Sequence, residues 1–421
     1  MEEKVERYLL DKKEDIKSLE VRERLLTIKP TKEAIISIIG PRRAGKTFFL
    51  YFFIKNKKLL DKDFVFINFE EIEAKNISSF IEKHIEIYGK FPEYVFLDEI
   101  QALPKWEKEV YKLYEKKKYN IFITGSNSKL LSKEIATQLR GRTVTTKVFP
   151  FSFKEILNLN NLNKKFFSTR EVAKIKSLLK NVLKEGCFPS IVLKKIESKA
   201  FISELIDLVI YKDIMERYGI ENRVALEFFI KSVIASNAKK FSVNKVYNTA
   251  KSMQIKVSKD TLYQFQNFLE DVNMVFFLRK YTSSLKKTYL SLPKSYVIDN
   301  GFYYFTTYRY DIGYLMESFV FQELIKRGFE PNKTLFYFEN NYEVDFVIKE
   351  GLKIKQLIQV TYASNKDEIE KREIRALIKA FETFKKDKPE LLVITWDYED
   401  EETFERKRIK FIPLWKWLLK I

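Results

Sequence analysis

Residues 40 to 47 have the sequence Gly40-Pro41-Arg42-Arg43-Ala44-Gly45-Lys46-Thr47. In this spacing the two glycines let the backbone wrap closely around a phosphate, the lysine reaches the β- and γ-phosphates, and the hydroxyl coordinates Mg2+. An apolar, β-branched run at 34–39 precedes the stretch, and 48–54 continue it as a helix-like segment. The order of strand, tight loop and helix N-terminus directs backbone N–H groups at an anion. An ordinary strand-to-helix turn is the alternative.

The predicted phosphate site includes the whole loop and the first helical turn. Its members are Gly40, Pro41, Arg42, Arg43, Ala44, Gly45, Lys46, Thr47 and Phe48. Lys46 is also the positive charge that we expect to act in catalysis, and Thr47 is the first predicted Mg2+ ligand.

Composition favours a globular protein with an anionic partner. The 421 residues are enough for two or three domains, each with its own core. Lys and Arg number 77 against 58 Asp and Glu, which gives a formal net charge of +19. Such a charge is typical of proteins that bind nucleic acid. The alternative is a surface rich in Lys and Glu, as in proteins from hot environments.

The counts of cysteine and histidine restrict the other classes. One cysteine excludes an internal disulfide, and one histidine excludes a metal site built from several histidines. The first residues are too charged for a signal peptide, and no apolar run approaches the roughly 20 residues that span a bilayer. We therefore expect a cytoplasmic protein without a membrane segment.

A parallel sheet is predicted downstream of residue 33. Apolar strands alternate with helix-like stretches, and the strands are expected at 35–39, 64–69, 94–97, 121–124 and 144–149. This alternation predicts an α/β fold with helices on both faces and ligands at the carboxyl ends of the strands.

Two carboxylates follow the strand at 94–97. Asp98 would hold Mg2+ through the water shell of the ion, and Glu99 would orient and polarise the attacking water. A strand that ends in acids is by itself often only a solvated turn. Its position downstream of a complete phosphate loop favours the catalytic interpretation.

Four further residues are candidates for the reaction centre. The strand at 120–124 runs into Gly125-Ser126-Asn127, so Asn127 or Ser126 could hold the attacking water. Arg140 and Arg142 could reach a transition-state phosphoryl group, either in the same chain or across the boundary of a homo-oligomer. The alternative for Ser126 and Asn127 is an ordinary turn. The alternative for Arg140 and Arg142 is a solvated position at the surface.

Residues 34 to about 220 resemble the ATPase domain of an AAA-type family of archaea and bacteria whose loop reads G-x-R-R-x-G-K-T. The matching motifs are Gly40 to Thr47, Asp98-Glu99-Ile100-Gln101, Gly125-Ser126, Leu139 to Arg142 and Phe151-Ser152-Phe153. The family's tail resembles PD-(D/E)xK nucleases, so the resemblance extends over nearly the whole chain. It implies binding and hydrolysis of ATP with Mg2+.

The implied fold class is α/β, in five segments. They are an N-terminal helical segment at 1–33, a P-loop ATPase core with a parallel sheet at 34–150, a helical lid at 151–220, a winged helix-turn-helix at 221–300, and a restriction-endonuclease-like domain at 301–421.

The segment 221–300 has the pattern of a winged helix. Helices are expected at 224–236 and 243–252 and after the N-cap Ser258, and wing strands at 275–278 and 289–292. Residues 239–294 hold 11 Lys or Arg against 3 Asp or Glu, and residues 34–150 hold 21 against 14, so the net positive charge per residue is roughly twice as high in 239–294. The predicted nucleic-acid contacts are Lys259, Tyr263, Gln266, Lys286 and Lys287. A protein-protein joint is the alternative.

The last segment has the element order of a nuclease with incomplete chemistry. Glu317 lies on the first predicted helix, and Glu343 and Asp345 share one side of a strand. In a working nuclease Asp345 would bind Mg2+ and the next strand would supply Glu-x-Lys, but here that strand reads Gln359-Val360-Thr361. Unless Lys366 or another lysine reaches in, we expect weak or lost nuclease chemistry. Alternatively, Glu317 and Asp345 simply pair with nearby lysines.

These interpretations lead to three hypotheses. The first is a cytosolic Mg2+-dependent ATPase that places its basic segment on DNA. The second is a nucleotide-dependent switch that recruits a protein partner. The third is an active Mg2+-dependent nuclease.

Overall fold

The computed structural model describes residues 2–74, 76–125, 141–162 and 167–419. The chain divides into two compact units. The first contains Met1–Pro150 and Asp271–Asn273, and the second contains Phe151–Glu270 and Met274–Ile421. No helix in the described ranges is both long and apolar enough to cross a membrane.

A five-stranded parallel sheet forms the centre of the first unit. Its strands are β1 (Ile35–Ile39), β2 (Phe64–Asn68), β3 (Tyr94–Asp98), β4 (Asn120–Gly125) and β5 (Thr143–Lys147). They lie in the order β2-β3-β4-β1-β5, and every neighbouring pair is parallel. This confirms the predicted α/β class. Because the strands are parallel, their carboxyl ends meet at one edge of the sheet.

Helices cover both faces of this sheet. They are α1 (Glu2–Ser18), α2 (Lys46–Asn56), α3 (Ser78–Tyr88) and α4 (Trp106–Glu115). Side chains of β1 alternate between two apolar cores, with Ile35 in one and Ile36 in the other. Helix α1 contributes Leu9 to the first core and Ile16 to the second. The N-terminal helix is therefore part of the same compact unit as the sheet.

The second unit begins with a group of helices. They are α5 (Phe153–Leu159), α6 (Thr169–Glu185), α7 (Pro189–Val192), α8 (Ser198–Leu208), a π-helical stretch (Val209–Met215) and α9 (Glu216–Tyr218). Ser152 and Ser168 form capping boxes at the starts of α5 and α6, which is why both helices begin there.

A small antiparallel sheet follows. The segment consists of α10 (Arg223–Ala235), β6 (Lys239–Lys240), α11 (Val243–Ser252), α12 (Lys259–Asp271), β7 (Val275–Leu278), α13 (Leu285–Leu290) and β8 (Lys294–Val297). The sheet order is β6-β8-β7. The three predicted helices are present, and Ser258 Oγ accepts the N–H of Thr261 as expected of an N-cap. The winged-helix assignment itself stays a prediction.

The predicted wing strand at 289–292 is wrong. Ser284 caps a short helix, α13, and the strand that pairs with β7 is β8. The reason is burial, because Tyr289 and Leu290 are 68% and 75% exposed whereas all four residues of β8 are buried.

A six-stranded mixed sheet forms the C-terminal part of the second unit. After α14 (Asn300–Thr307) and α15 (Ile312–Lys326) come β9 (Leu335–Glu339), β10 (Glu343–Glu350), β11 (Lys353–Val360), α16 (Lys371–Thr383), β12 (Glu390–Thr395), β13 (Asp400–Phe404), β14 (Lys407–Pro413) and α17 (Leu414–Leu419). The sheet order is β13-β14-β12-β11-β10-β9, with parallel pairs only at β11-β12 and β12-β14.

The sequence interpretation of this sheet was incomplete. Strands β13 and β14 were not predicted, because β13 is a charged edge strand with little apolar alternation. The restriction-endonuclease-like assignment stays a prediction.

Candidate functional site

The loop between β1 and α2 has a backbone that glycine makes possible. Gly40 has a φ of 154°, and a Cβ atom there would lie 2.0 Å from the carbonyl oxygen of Val148. Gly45 caps α2 in the left-handed region with a φ of 92°, and Arg43 also has a positive φ of 59°. The chain therefore turns sharply twice before α2 begins, which leaves its N-terminus at the carboxyl edge of the sheet.

Lys46 lies across this loop. Its buried Nζ donates to the carbonyl oxygens of Gly40 and Pro41 at 3.2 Å each. A phosphate oxygen is a stronger partner for an ammonium group than a neutral carbonyl, because the bond is then ionic on both sides. Lys46 is thus held where its ammonium group would contact an anion bound in the loop.

Thr47 and Asp98 meet at the ends of α2 and β3. Thr47 Oγ1 donates to Asp98 Oδ2 at 2.8 Å, and Asn68 Nδ2 donates to the same oxygen at 3.1 Å. Hydroxyl and carboxylate oxygens are hard donors, which Mg2+ binds directly or through the waters that it retains. The two residues are therefore chemically suited to a Mg2+ ion at this edge of the sheet.

Thr124, at the end of β4, connects the two acids. Its Oγ1 donates to Asp98 Oδ1 and accepts the backbone N–H of Glu99 at 3.0 Å. Glu99 has a positive φ of 47°, a strained conformation that is often found at functional sites. Gln101 Nε2 donates to Glu99 Oε2 at 2.6 Å and so holds the carboxylate. Thr124 lies in a predicted strand, and its sequence context gave no sign of this role.

The pKa of Asp98 reflects this environment. The pKa is raised to about 6, first by burial and then by the charge of Glu99, while the hydrogen bonds from Thr124 and Thr47 act in the opposite direction. A nearby divalent cation would favour the ionised form. The carboxylate is therefore tuned by the same hydroxyl groups that position it.

The N-terminal segment supports the loop directly. Arg24 donates to the carbonyl oxygen of Ala44 at 3.2 Å and to that of Phe149 at 2.7 Å. The guanidinium thus joins the phosphate loop to the chain that follows β5. No chemical role is predicted for residues 1–33. The only sequence signal for this contact is that an arginine, Arg24, is present in a charged stretch.

A second connection runs from α1 to Asp98. Lys12 pairs with Glu71 at 2.6 Å, and Tyr8 Oη accepts the backbone N–H of Asn68 at 2.8 Å. Asn68 Nδ2 in turn contacts both Glu71 and Asp98. Helix α1 therefore fixes the end of β2, which positions the amide beside the predicted metal ligand.

The other loop residues lie around the same turn. Arg42 and Arg43 are half-buried, Ala44 and Pro41 are buried, and Phe48 is exposed on the first turn of α2 with its ring 5.7 Å from that of Tyr51. The structure brings the predicted phosphate-binding residues together on one loop.

Arg142 is not brought to this edge. It precedes β5, and its carbonyl accepts the N–H of Ile35 at the amino end of β1. Its guanidinium bonds to Tyr111 and Glu115 at 2.8 and 2.6 Å. The length of the strands separates this position from the phosphate loop of the same chain. The predicted action of Arg142 on a phosphoryl group, in the same chain or across a subunit boundary, stays a prediction.

Three other candidates cannot be placed. Ser126, Asn127 and Arg140 lie outside the described residues, so their predicted roles stay predictions.

The predicted nucleic-acid residues lie on two elements of the second unit. Lys259 and Tyr263 are exposed on α12, where Leu262, Phe265 and Leu269 form the buried side of the helix. Gln266 is half-buried on the same helix, and Lys286 and Lys287 are exposed on α13. The basic side chains are thus available to solvent.

The nuclease-like acids form a closed network. Lys294 Nζ lies 2.8 Å from Glu317 Oε1, 2.7 Å from Glu343 Oε1 and 3.2 Å from Asp345 Oδ1. Gln359 is buried beside them, and its Oε1 accepts no hydrogen bond from the described residues. Lys366 does not reach in, because it pairs with Glu402 at the surface. The alternative in which Glu317 and Asp345 pair with a lysine matches this geometry.

Replacing Thr124 by valine is expected to lower kcat for ATP hydrolysis roughly 10- to 100-fold, because a hydrogen bond to a charged group is worth about 1.5–3 kcal/mol. Thr124 lowers the pKa of Asp98, so its loss should raise that pKa above about 6 and move the acidic limb of the rate profile to higher pH. The measurement is kcat/KM over a pH series.

Two controls accompany this variant. Thr124→Ser keeps the hydroxyl and should restore most of the rate, whereas Thr145→Val alters an exposed threonine of β5 and should change nothing. A Thr124→Val profile that coincides with wild type would contradict the role of this hydroxyl.

Comparisons with known proteins agree with this geometry. The model of the AAA domain matches residues 32–157, and two domains of unknown function, DUF8612 and DUF4143, match 176–324 and 312–417. The chain is 38% identical over 427 residues to an uncharacterized protein of Methanocaldococcus jannaschii, covering 98% of this chain and 95% of that protein. An uncharacterized protein of Haemophilus influenzae is 28% identical over 340 residues, covering 78% and 82%.

Two solved structures are also similar. One is the Walker-type ATPase PABY2304 of Pyrococcus abyssi, with a TM-score of 0.40 and 16% identity over 65% of this chain and 90% of that chain. The other is the Orc1 protein of Aeropyrum pernix in complex with DNA, with a TM-score of 0.30 and 11% identity over 77% and 93%. On its full-length identity, this chain belongs to the same protein family as the M. jannaschii protein, with an AAA domain in its N-terminal part.

Proposed function

We propose that this protein is a Mg2+-dependent ATPase whose nucleotide cycle acts on DNA. The observation that carries the ATPase part is the 2.8 Å contact between Thr47 and Asp98 at the end of a phosphate loop, with Glu99 beside it. Hydroxyl, carboxylate and lysine converge at one sheet edge, and these are the groups that phosphoryl transfer needs.

Each residue has one task in the proposed reaction. Lys46 and the N–H groups of the loop would bind the β- and γ-phosphates, and Thr47 and Asp98 would hold Mg2+, which would neutralise charge on the phosphates. Glu99 accepts a proton from a water whose oxygen bonds to the γ-phosphorus, while the bond from that phosphorus to the bridging oxygen breaks. The products are ADP and inorganic phosphate.

The proposed division of labour extends along the chain. The helices at 151–220 act as the lid, 221–300 as a winged helix and 301–421 as a nuclease-like domain without strong nuclease chemistry. Support for the DNA role comes from the high net positive charge per residue of 239–294. The exposure of Lys259, Lys286 and Lys287 supports it as well.

DNA binding should fall steeply with salt, because each phosphate contact releases counterions. The double variant Lys286→Ala/Lys287→Ala is expected to reduce the slope of log affinity against log salt by about 1 to 2, since about 0.9 is lost for each phosphate contact. The measurement is fluorescence anisotropy with labelled duplex DNA and ATP over a salt series.

The matched control is Lys385→Ala/Lys386→Ala, which removes another pair of adjacent exposed lysines. Equal slopes for wild type and the Lys286/Lys287 variant would contradict the proposed DNA surface. Salt-insensitive or absent DNA binding would favour the alternative in which the nucleotide switches a protein partner.

A further inference from the structure

The acid cluster of the second unit has an internal cation. Lys294, the first residue of β8, contacts Glu317 of α15 and both Glu343 and Asp345 of β10. Lys294 is only 2% exposed. Burial lowers its pKa, but the charges of Glu317 and the neighbouring groups outweigh burial and raise the pKa well above its ordinary value. The amine is therefore buried in contact with three carboxylate groups.

Two further hydrogen bonds hold the carboxylates of the cluster. Glu317 Oε1 accepts from the hydroxyl of Tyr296 at 2.6 Å, and Asp345 Oδ2 accepts the N–H of Val360 at 3.0 Å. A divalent metal between Glu317 and Asp345 would meet the ammonium group at contact distance. Across the part of the chain that the structure describes, no group of three or more Asp, Glu, His or Cys is arranged to hold a metal ion.

We propose that Lys294 is the resident cation of this cluster, occupying with its ammonium group the position between Glu317 and Asp345 that the nuclease resemblance would give to Mg2+. The ammonium group thereby excludes a divalent metal from the cluster. Its ion pairs connect β8 to α15 and β10, and this set of contacts is called the joint below. This inference concerns the second unit alone and does not depend on the proposed ATPase function.

A catalytic role for Lys294 does not fit its environment. Its side chain is 3% exposed, so it cannot contact a phosphodiester from solution. The carboxylate and lysine of the nuclease pattern are replaced by Gln359 and Thr361, which supply neither the charge of a metal ligand nor that of a lysine.

The joint links β8 to the C-terminal sheet at several points. Lys240 of β6 pairs with both Glu339 and Glu343, and the hydroxyl of Tyr337 donates to the carbonyl oxygen of Leu292 at 2.6 Å. Lys294 adds the buried centre of this set of contacts. Lys294 belongs to the sheet β6-β8-β7, so its ion pairs connect that sheet to the six-stranded sheet. A metal ion bound only by the six-stranded sheet would not make this connection.

The experiment removes the internal cation and asks whether a metal replaces it. Lys294→Met keeps an unbranched apolar side chain without the ammonium group and leaves the carboxylates in place, and a pocket of about 760 Å³ lined by Glu317, Glu343 and Asp345 gives access. All proteins carry Asp98→Asn and are free of nucleotide, which removes the predicted metal ligand of the first unit. Binding of Mn2+ is measured by the electron paramagnetic resonance signal of the free ion.

We expect Lys294→Met to bind Mn2+ roughly tenfold or more tightly than its Lys294 parent, and the added Asp345→Asn substitution to abolish the gain. Thermal unfolding should agree, with Mn2+ raising the midpoint of Lys294→Met but not of the parent. Lys240→Met is the matched control, because it removes a lysine of the same network that contacts neither Glu317 nor Asp345, and it should gain no Mn2+ binding.

Several results would overturn the proposal. One is a folded Lys294→Met protein without new Mn2+ binding. Another is an Mn2+ site in the parent protein that Asp345→Asn removes, or Mn2+-dependent DNA cleavage that depends on Asp345. If Lys294→Met does not fold with or without Mn2+, the test is Mn2+ binding to the parent protein, which retains Lys294. An Mn2+ site in the parent that depends on Asp345 contradicts the proposal, and the absence of such a site supports it.

Discussion

Replacing Glu99 by glutamine is expected to lower kcat for ATP hydrolysis by about 100- to 10,000-fold while ATP still binds, because a positioned general base contributes about that much to the rate. The carboxamide keeps the size of the side chain and can still contact Gln101, but it cannot take a proton from water. The measurement is phosphate release under saturating ATP and Mg2+, together with equilibrium binding of ATP.

Glu70→Gln is the control, since Glu70 is an exposed glutamate shortly after β2 at the same edge of the sheet. That variant should hydrolyse ATP like the wild type. If Glu99→Gln turned over ATP at the wild-type rate, Glu99 would not be the base, and the strained backbone at this residue would need another explanation.

Replacing Lys46 by alanine is expected to abolish ATP binding at ordinary concentrations. Truncating one partner of a buried charge pair costs about 2–5 kcal/mol, which corresponds to a loss of affinity of roughly 30- to several thousand-fold. Isothermal titration with Mg2+ and ATP measures the effect. Circular dichroism checks folding, because Lys46 is buried and bonds to two carbonyl groups of the loop.

The matched control is Lys57→Ala, which removes an exposed lysine at the other end of α2. It should bind ATP with wild-type affinity. A folded Lys46→Ala protein with unchanged affinity would place the nucleotide somewhere other than the loop.

Local sequence patterns predicted the centre of the site because its chemistry is contiguous in the chain. Gly40 to Thr47 need only one strand, one turn and one helix, and Asp98 and Glu99 directly end a buried strand. The parallel order of the sheet then places both groups at one edge, which the alternation of strands and helices had indicated.

Contacts between distant parts of the chain could not be predicted in this way. Arg24 reaches the loop through the tertiary fold, and Thr124 acts through its side chain at the end of a neighbouring strand. Lys294 is one of many lysines in a basic segment, and only the packing of β8 beside β10 shows that it is the buried one.

The position of Arg142 in the fold could have been derived from the sequence. Arg142 comes immediately before a predicted strand, and in a parallel sheet the residue before a strand lies at the amino edge, opposite the phosphate loop. The misplaced wing strand has a different origin. A run as short as 289–292 has no clear hydrophobic period. Only the structure shows that its large apolar side chains are exposed and that β8 is the strand that pairs with β7.

The measurement that tests the central claim most directly is the amount of ADP formed per protein molecule, in wild type, Glu99→Gln and Lys46→Ala, after incubation with labelled ATP and Mg2+. The predicted result is many turnovers in wild type that EDTA abolishes, bound but uncleaved ATP in Glu99→Gln, and neither binding nor ADP in Lys46→Ala. Hydrolysis that is equal in all three proteins, or absent from a folded wild type that binds ATP with Mg2+, would contradict the account.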